Sequence, residues 1–338
     1  MNKVLYLMFL SFFFVFSGSS DAKTVSGRVI MEFDLSSQPH KEATQLWIPY
    51  PESSEVQSIT DIKVEGNSES SAVYTDKKFQ TPMLYAKWDK GTKKRMLKLS
   101  FNVSRQEVLH RNLPSKEAAW DRADYALYLA PTSLAPLDGD IKKLALKITG
   151  SKKTVLQKAK AIYDWTVENT YRNPDTRGCG KGDVCELIKD PGGKCTDISS
   201  IFVALARAAG VPSREVFGIR LGKKSGEDIT KWQHCWAEFY LPGYGWVPVD
   251  PADVRKMMLK EDLELADNKT REYRDYFWGG VDPYRFKVGE GRDLVLNPVQ
   301  HGEPVNYLMY PFAQVGEKTL DWLDPKTFSY TITFETDR

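Results

Sequence analysis

Hydrophobic and polar positions change period twice along this chain. After Ala22, the residues Val25, Gly27, Val29, Met31, Phe33 and Leu35 alternate with polar neighbours except at Ile30. Leu97, Leu99, Phe101 and Val103 alternate in the same way with Lys98, Ser100, Asn102 and Ser104. A period of two puts one face of a strand in a core. The pieces "TQLWIPYP" and "PMLYAKW" lie between them, separated by Ser, Asp, Gly and Lys turn material. The pattern predicts an antiparallel β-sandwich or barrel over residues 23–140. The stretch "LAPTSLAPLDGD", residues 129–140, carries two prolines and a turn signal and reads as a linker.

The period then lengthens. Ser151 is placed to cap a helix running to about Tyr171, with Val155, Leu156, Ala159, Ile162, Tyr163 and Val167 at helical spacing. A second helix starts near Cys195 and carries the stripe Ile198, Ile201, Phe202, Leu205 and Ala208 or Ala209. Gly210 supplies a left-handed stop and Pro212 prevents continuation. Strands return in "REVFGIRLG", "WQHCWAEFYL" and "YGWVPVD". A helix followed by an antiparallel sheet is an α+β core, assigned to residues 141–258. Residues 259–338 read as an aromatic, β-rich extension. The tail beyond Asp253 is expected to hold one helix, the loop "YFWGGVDPYRF" and a final strand in which Phe328, Tyr330, Ile332 and Phe334 alternate.

Composition narrows the class. Of 338 residues 41% are hydrophobic, which is globular, and 47 basic residues against 45 acidic ones give no strong field. No basic tract interleaved with aromatics occurs, so nucleic acid is excluded as a partner. Lys3 precedes an apolar run from Val4 to Phe16 that ends in "SGSSDA", with Ser20 and Ala22 where a signal peptidase reads small residues. The run is shorter than the roughly 18 residues of a membrane anchor. Residues 1–22 are therefore expected to be a cleavable export signal, with a periplasmic or secreted product and no stable membrane insertion.

The chemistry centres on "GGKCTDISS". A thiol with a pKa near 8.5 must be activated to act as a nucleophile, and a helix N-terminus lowers it. Cys195 stands at such a start, after Gly192 and Gly193, where its own N–H could help hold an oxyanion. A thiol nucleophile needs a base, and the base an orienting partner. Among four histidines, His40, His110 and His301 lie in turn-like or polar contexts, whereas His234 sits within a strand between Trp232 and Trp236. In "WVPVDPAD", Asp250 follows 16 residues later, a natural distance across a hairpin. Candidates for a completing oxyanion side chain are Tyr171, Trp165 and Trp232.

Gly-x-Cys at a helix start, "LARAAGVPSR" closing that helix, "HCWAEFYL" and "GWVPVDP" together resemble the transglutaminase-like family, whose core is related to the papain fold. The resemblance covers roughly residues 150–255. It implies a papain-like core in which a cysteine-bearing helix packs on an antiparallel sheet. It also implies a catalytic triad of Cys195, His234 and Asp250 acting through an acyl-enzyme on a protein or peptide amide, with an amine or water as acceptor. No cofactor is implied, and no acidic cluster suits calcium, so no metal dependence is expected. Cross-linking, deamidation and peptide hydrolysis share this triad, so a cysteine peptidase or amidase is the second reading. A non-catalytic scaffold with the β-domain as a binding module is the third.

The remaining cysteines carry expectations of their own. In an exported chain, Cys179 and Cys185, six apart in "GCGKGDVC", are placed for a local disulfide; a zinc site lacks two further ligands. Cys235 follows His234 directly, and strand alternation turns it to the opposite face, buried and outside the active site. Asp197 should complement the helix dipole, and Arg207 and Arg214 should be structural. The aromatic loop either lines a substrate cleft or packs.

Overall fold

A computed structural model describes residues 22–337. The expected export signal lies outside the described residues except for Ala22. Among the described residues no helix is long and apolar enough to cross a membrane.

The alternation found in the sequence builds two sheets packed face to face. In the first, β1 (Thr24–Asp34) lies beside β6 (Met96–Gln106), which is flanked in turn by β3 (Gln57–Gly66). In the second, β2 (Thr44–Pro49) pairs with β5 (Pro82–Trp88), and β5 with β4 (Ser70–Thr75). Their inward residues, among them Val29, Met31, Phe33, Leu46, Ile48, Leu84, Leu99 and Phe101, form one core. Burying each such side chain contributes about 1.5–3 kcal/mol.

The part of the chain after residue 139 has a four-stranded antiparallel sheet. Its strands are β7 (Ser213–Arg220), β8 (Gln233–Leu241), β9 (Gly245–Val249) and β10 (Arg285–Glu290), in the order β9-β8-β7-β10. Helices α1 (Gly139–Thr149), α2 (Val155–Asn169), α3 (Val184–Leu187) and α4 (Cys195–Ala208) precede β7. After β9 come α5 (Pro251–Glu261) and α6 (Asn268–Phe277). Every residue of α4 is buried, with Ile201, Phe202 and Leu205 in a core shared with α2 and β8. Gly210 stops the helix at φ +83°, as its sequence context predicts.

Three elements differ from the sequence reading. The helix assigned to start at Ser151 is capped instead by Thr154, whose hydroxyl accepts from Gln157 N while Gln157 bonds back to Thr154 N. This reciprocal capping box selects one start among several Ser and Thr residues. The linker expected over 129–140 ends in the start of a helix that the sequence reading does not assign, α1, with Asp138 as its extended N-cap. The tail contains two helices, α5 and α6, rather than one.

The C-terminal residues complete the first two sheets. Strand β12 (Ser329–Thr336) pairs antiparallel with β1 from Gly27↔Thr336 to Asp34↔Ser329. Strand β11 (Phe312–Val315) pairs with β2 from Phe312↔Trp47. The chain thus returns to its beginning, and the segment Tyr307–Tyr330 passes over the N-terminal tip of α4 on the way.

Candidate active site

Cys195 is the first residue of α4, so its N–H lacks an intrahelical acceptor by construction. The tip is held by Asp197, whose carboxylate accepts from Lys194 N at 3.1 Å and Gly182 N at 2.9 Å. That is the dipole-complementing role expected of it, and burial pushes its carboxyl up from the ordinary range. Close approach explains the glycines. A Cβ on Gly180, at φ +95°, would fall 1.9 Å from Asp197 Oδ2, and one on Gly193 would fall 2.4 Å from the Asp197 side chain. Thr196 N donates to Cys179 O at 3.0 Å, pinning the preceding loop to the same tip.

His234 is the second residue of β8 and is buried. Its Nε2 lies 2.7 Å from Asp250 Oδ2, and since an ionised carboxylate only accepts, Nε2 is the donor. The other ring nitrogen is left for the thiol. Asp250 ends β9 and is the N-cap of α5, where its Oδ1 accepts from Asp253 N at 2.9 Å. The structure therefore brings together Cys195, His234 and Asp250, the three residues singled out in the sequence.

Electrostatics favour the Cys195 thiolate. A hydrogen bond from the Cys179 thiol, then one from Cys235, hold the Cys195 pKa well below the ordinary thiol value; burial opposes them, and His234 adds to them. Cys179 has one S–H, which can turn to Gln233 O at 3.4 Å or to Cys195, and only the second option supports an anion. Tyr310 Oη donates to Cys179 Sγ at 3.2 Å. The Cys179 pKa is raised, first by the bond to Cys195, and that of Cys235 first by burial.

Two cysteine expectations are corrected here. All four cysteines are free: Cys185 is exposed on α3, while Cys179 is buried against Cys195 and Tyr310, so no Cys179–Cys185 bridge forms. Cys235 does not lie apart from the site. Alternation turns it to the face opposite His234, as expected, but α4 packs on that face and brings its tip against Cys235.

Sequence reasoning missed the charges behind the histidine. Arg285, fully buried, donates from Nη1 to Asp250 Oδ2 and from Nη2 to both Asp282 and Asp253, the last at 2.8 Å. Arg220 Nη2 reaches Asp253 Oδ1 at 2.5 Å. Burial alone would raise the Asp253 carboxyl, but Arg220, with His234 and Arg285, holds it well below the usual carboxylate range. A charged residue inside an aromatic run, as in "DPYRF", is the signal that could have found Arg285, since a buried guanidinium demands partners. His234, Asp250 and Asp253 offer ligand atoms within 4.8 Å of one another, a spacing metals use. The two guanidiniums already occupy those carboxylates and repel a cation, so the donor set does not suit a metal.

The aromatic loop supplies Asp282 and Arg285 and otherwise packs: Trp278 stacks on Phe239, with ring centroids 5.3 Å apart. The cleft over Cys195, of about 660 Å³, is walled instead by Trp232, Tyr310, Trp322, Phe328 and Tyr330. Of the three oxyanion candidates only Trp232 lines it; Tyr171 bonds to Asp190 at 2.9 Å and Trp165 packs against the helical core. Arg207 caps Ser213 O and Ala130 O, and Arg214 pairs with Glu238 and Glu290, both structural roles.

Comparison with known proteins bears on the class. The profile of the Transglutaminase-like superfamily matches residues 142–251. An uncharacterised protein of Haemophilus influenzae is 38% identical over 314 residues, 85% of this chain and 85% of that protein. A protein-glutamine gamma-glutamyltransferase of Pseudomonas aeruginosa is 31% identical over 110 residues, 31% of this chain but 16% of that enzyme. In fold, the chain resembles a Cytophaga hutchinsonii crystal structure designated a "putative cysteine protease". The TM-score is 0.54 and the identity 17%, over 93% of this chain and 99% of that one. The chain belongs to the transglutaminase-like superfamily, and its α+β core is the papain-like fold of that group. It is an enzyme of this general kind.

Proposed function

We propose that the protein is an exported cysteine acyltransferase acting on protein or peptide amides through Cys195, His234 and Asp250. The Cys195 thiolate attacks the amide carbonyl, forming an S–C bond; the C–N bond then breaks as His234 delivers its proton to the leaving nitrogen. An amine closes the cycle as a new amide, or water as a carboxylic acid: it attacks the thioester, gives a proton back to His234, and the C–S bond breaks to restore the thiolate. Asp250 keeps the imidazole in one tautomer and offsets its charge. The Cys195 N–H, at the helix start, is the donor available to an oxyanion. The observation that carries this reading is the buried His234–Asp250 bond of 2.7 Å, set against the one thiol of the cluster whose pKa is lowered. Export is supported by the apolar run from Val4 to Phe16.

Hydrolysis is a second reading, favoured by the basic lining of the cleft, which raises the cost of bringing in a lysine ammonium. The test supplies a glutamine peptide with and without a primary amine and follows ammonia release, amine incorporation and backbone cleavage. Cys195→Ala should abolish turnover, and His234→Gln should lower it roughly 10²–10⁴-fold. Turnover retained in Cys195→Ala would sink the proposal; cleavage or deamidation without incorporation would move it to hydrolysis.

A further inference from the structure

We infer that the cleft over Cys195 selects acidic substrates: peptides that carry carboxylates beside the reacting amide and an apolar or aromatic side chain. The inference rests on the thiol chemistry above and adds the substrate class. The whole chain is nearly balanced, 47 basic residues against 45 acidic, yet eight Lys and Arg side chains line this cleft and no Asp or Glu does. Two of the eight are spent, Arg177 on Asp321 and Arg220 on Asp253. The other six, Arg172, Lys194, Lys223, Lys231, Lys256 and Lys260, form no ion pair among the described residues.

Unpaired cations around a concave, partly apolar wall focus a positive potential on whatever enters it. Lys256, half-buried on α5, has its pKa lowered first by burial and then by the neighbouring Arg220, with Asp253 opposing. Asp250 and Asp253 lie behind His234, paired with Arg285 and Arg220, and Asp197 is turned to the N–H groups of Gly182 and Lys194, so none of these three carboxylates lines the cleft. Five of the six free cations are lysines, and a lysine acts as a point charge that suits flexible carboxylates without demanding bidentate geometry. Trp232, Trp322 and Tyr330 offer the apolar surface for a neighbouring side chain.

Two thiol reagents of nearly equal size and different charge read the field directly. Iodoacetate and iodoacetamide each alkylate a thiolate with loss of iodide, and mass spectrometry of the labelled peptide assigns the product to Cys195. The iodoacetate-to-iodoacetamide rate ratio, divided by the ratio for glutathione, should be roughly 3–10 at low salt and fall toward one at high salt. The triple variant Lys223→Gln, Lys231→Gln, Lys260→Gln should lower it at low salt. A peptide with glutamates flanking Gln-Phe should protect Cys195 from iodoacetamide better than the same peptide with lysines. A ratio of one at low salt, or equal protection by the basic peptide, overturns the inference while leaving the thiol chemistry standing. A Cys195 that reacts with neither reagent overturns the chemistry itself.

Discussion

Replacing Arg285 by methionine tests how the base is held. Arg285 is fully buried and bridges Asp250, Asp253 and Asp282, so the variant keeps the apolar stem and removes the one cation that touches all three. Arg220 and His234 remain for Asp253, but Asp282 loses its ion pair and Asp250 keeps only His234 and the α5 amide. Removing one partner of a buried ion pair costs about 3–5 kcal/mol, because the other charge stays buried. That is a large part of a typical stability of about 5–15 kcal/mol. Urea denaturation of the wild type and Arg285→Met at several pH values measures it. Asp253 is depressed in the wild type, so its contribution is present above the unfolded carboxylate pKa and lost only as the pH falls through the lower folded value. In the variant, burial is less opposed and the carboxylates protonate at higher pH. The stability gap should be largest near neutrality and close on acidification. Asp282→Asn placed on top of Arg285→Met should recover part of the loss. A cost under about 1 kcal/mol at pH 7, or a gap that widens with acid, would refute the reasoning.

Other outcomes follow from the same geometry. Gly180→Ala would hold a side chain at φ +95° and press it into Asp197, so it should cost about 1–3 kcal/mol and lower the melting temperature by several degrees; an unchanged melt contradicts this. Cys179→Ala removes the largest stabiliser of the Cys195 thiolate and should move the midpoint of Cys195 alkylation to higher pH; an unmoved midpoint would return credit to His234 and the helix. Truncation after Lys326 deletes β12 and opens the edge of β1 over its whole paired length. Size-exclusion chromatography should then show aggregation, and a monomer with the full-length melt would contradict the role given to that strand.

What could be read in advance depended on whether the signal was local. Strands β1 and β6 announce themselves because one face is buried and the other is not, and α4 because its stripe ends at Gly210 and Pro212. The neighbourhood of Cys195, His234 and Asp250 was legible because thiol chemistry needs a base and an orienting group, and only one histidine sat in a suitable strand. Pairing between ends of the chain was not: alternation in Phe328–Phe334 marks a strand without naming β1 as its partner. The same limit misplaced the cysteines. Nearness in sequence suggested a Cys179–Cys185 bridge, but burial turns Cys179 inward and leaves Cys185 outside. Alternation put Cys235 on the correct face and carried no information that α4 covers that face. Arg285 was hidden among aromatic residues, its role fixed only by three carboxylates that the fold brings to it.

The proposed chemistry requires Cys195 to be an activated thiolate at the tip of α4. The direct measurement is the pH dependence of its alkylation by iodoacetamide, with the modified residue assigned by mass spectrometry. A midpoint well below the ordinary thiol value of about 8.5, with rapid labelling retained below pH 7, is the predicted result. A midpoint at or above about 8.5 would contradict an activated Cys195.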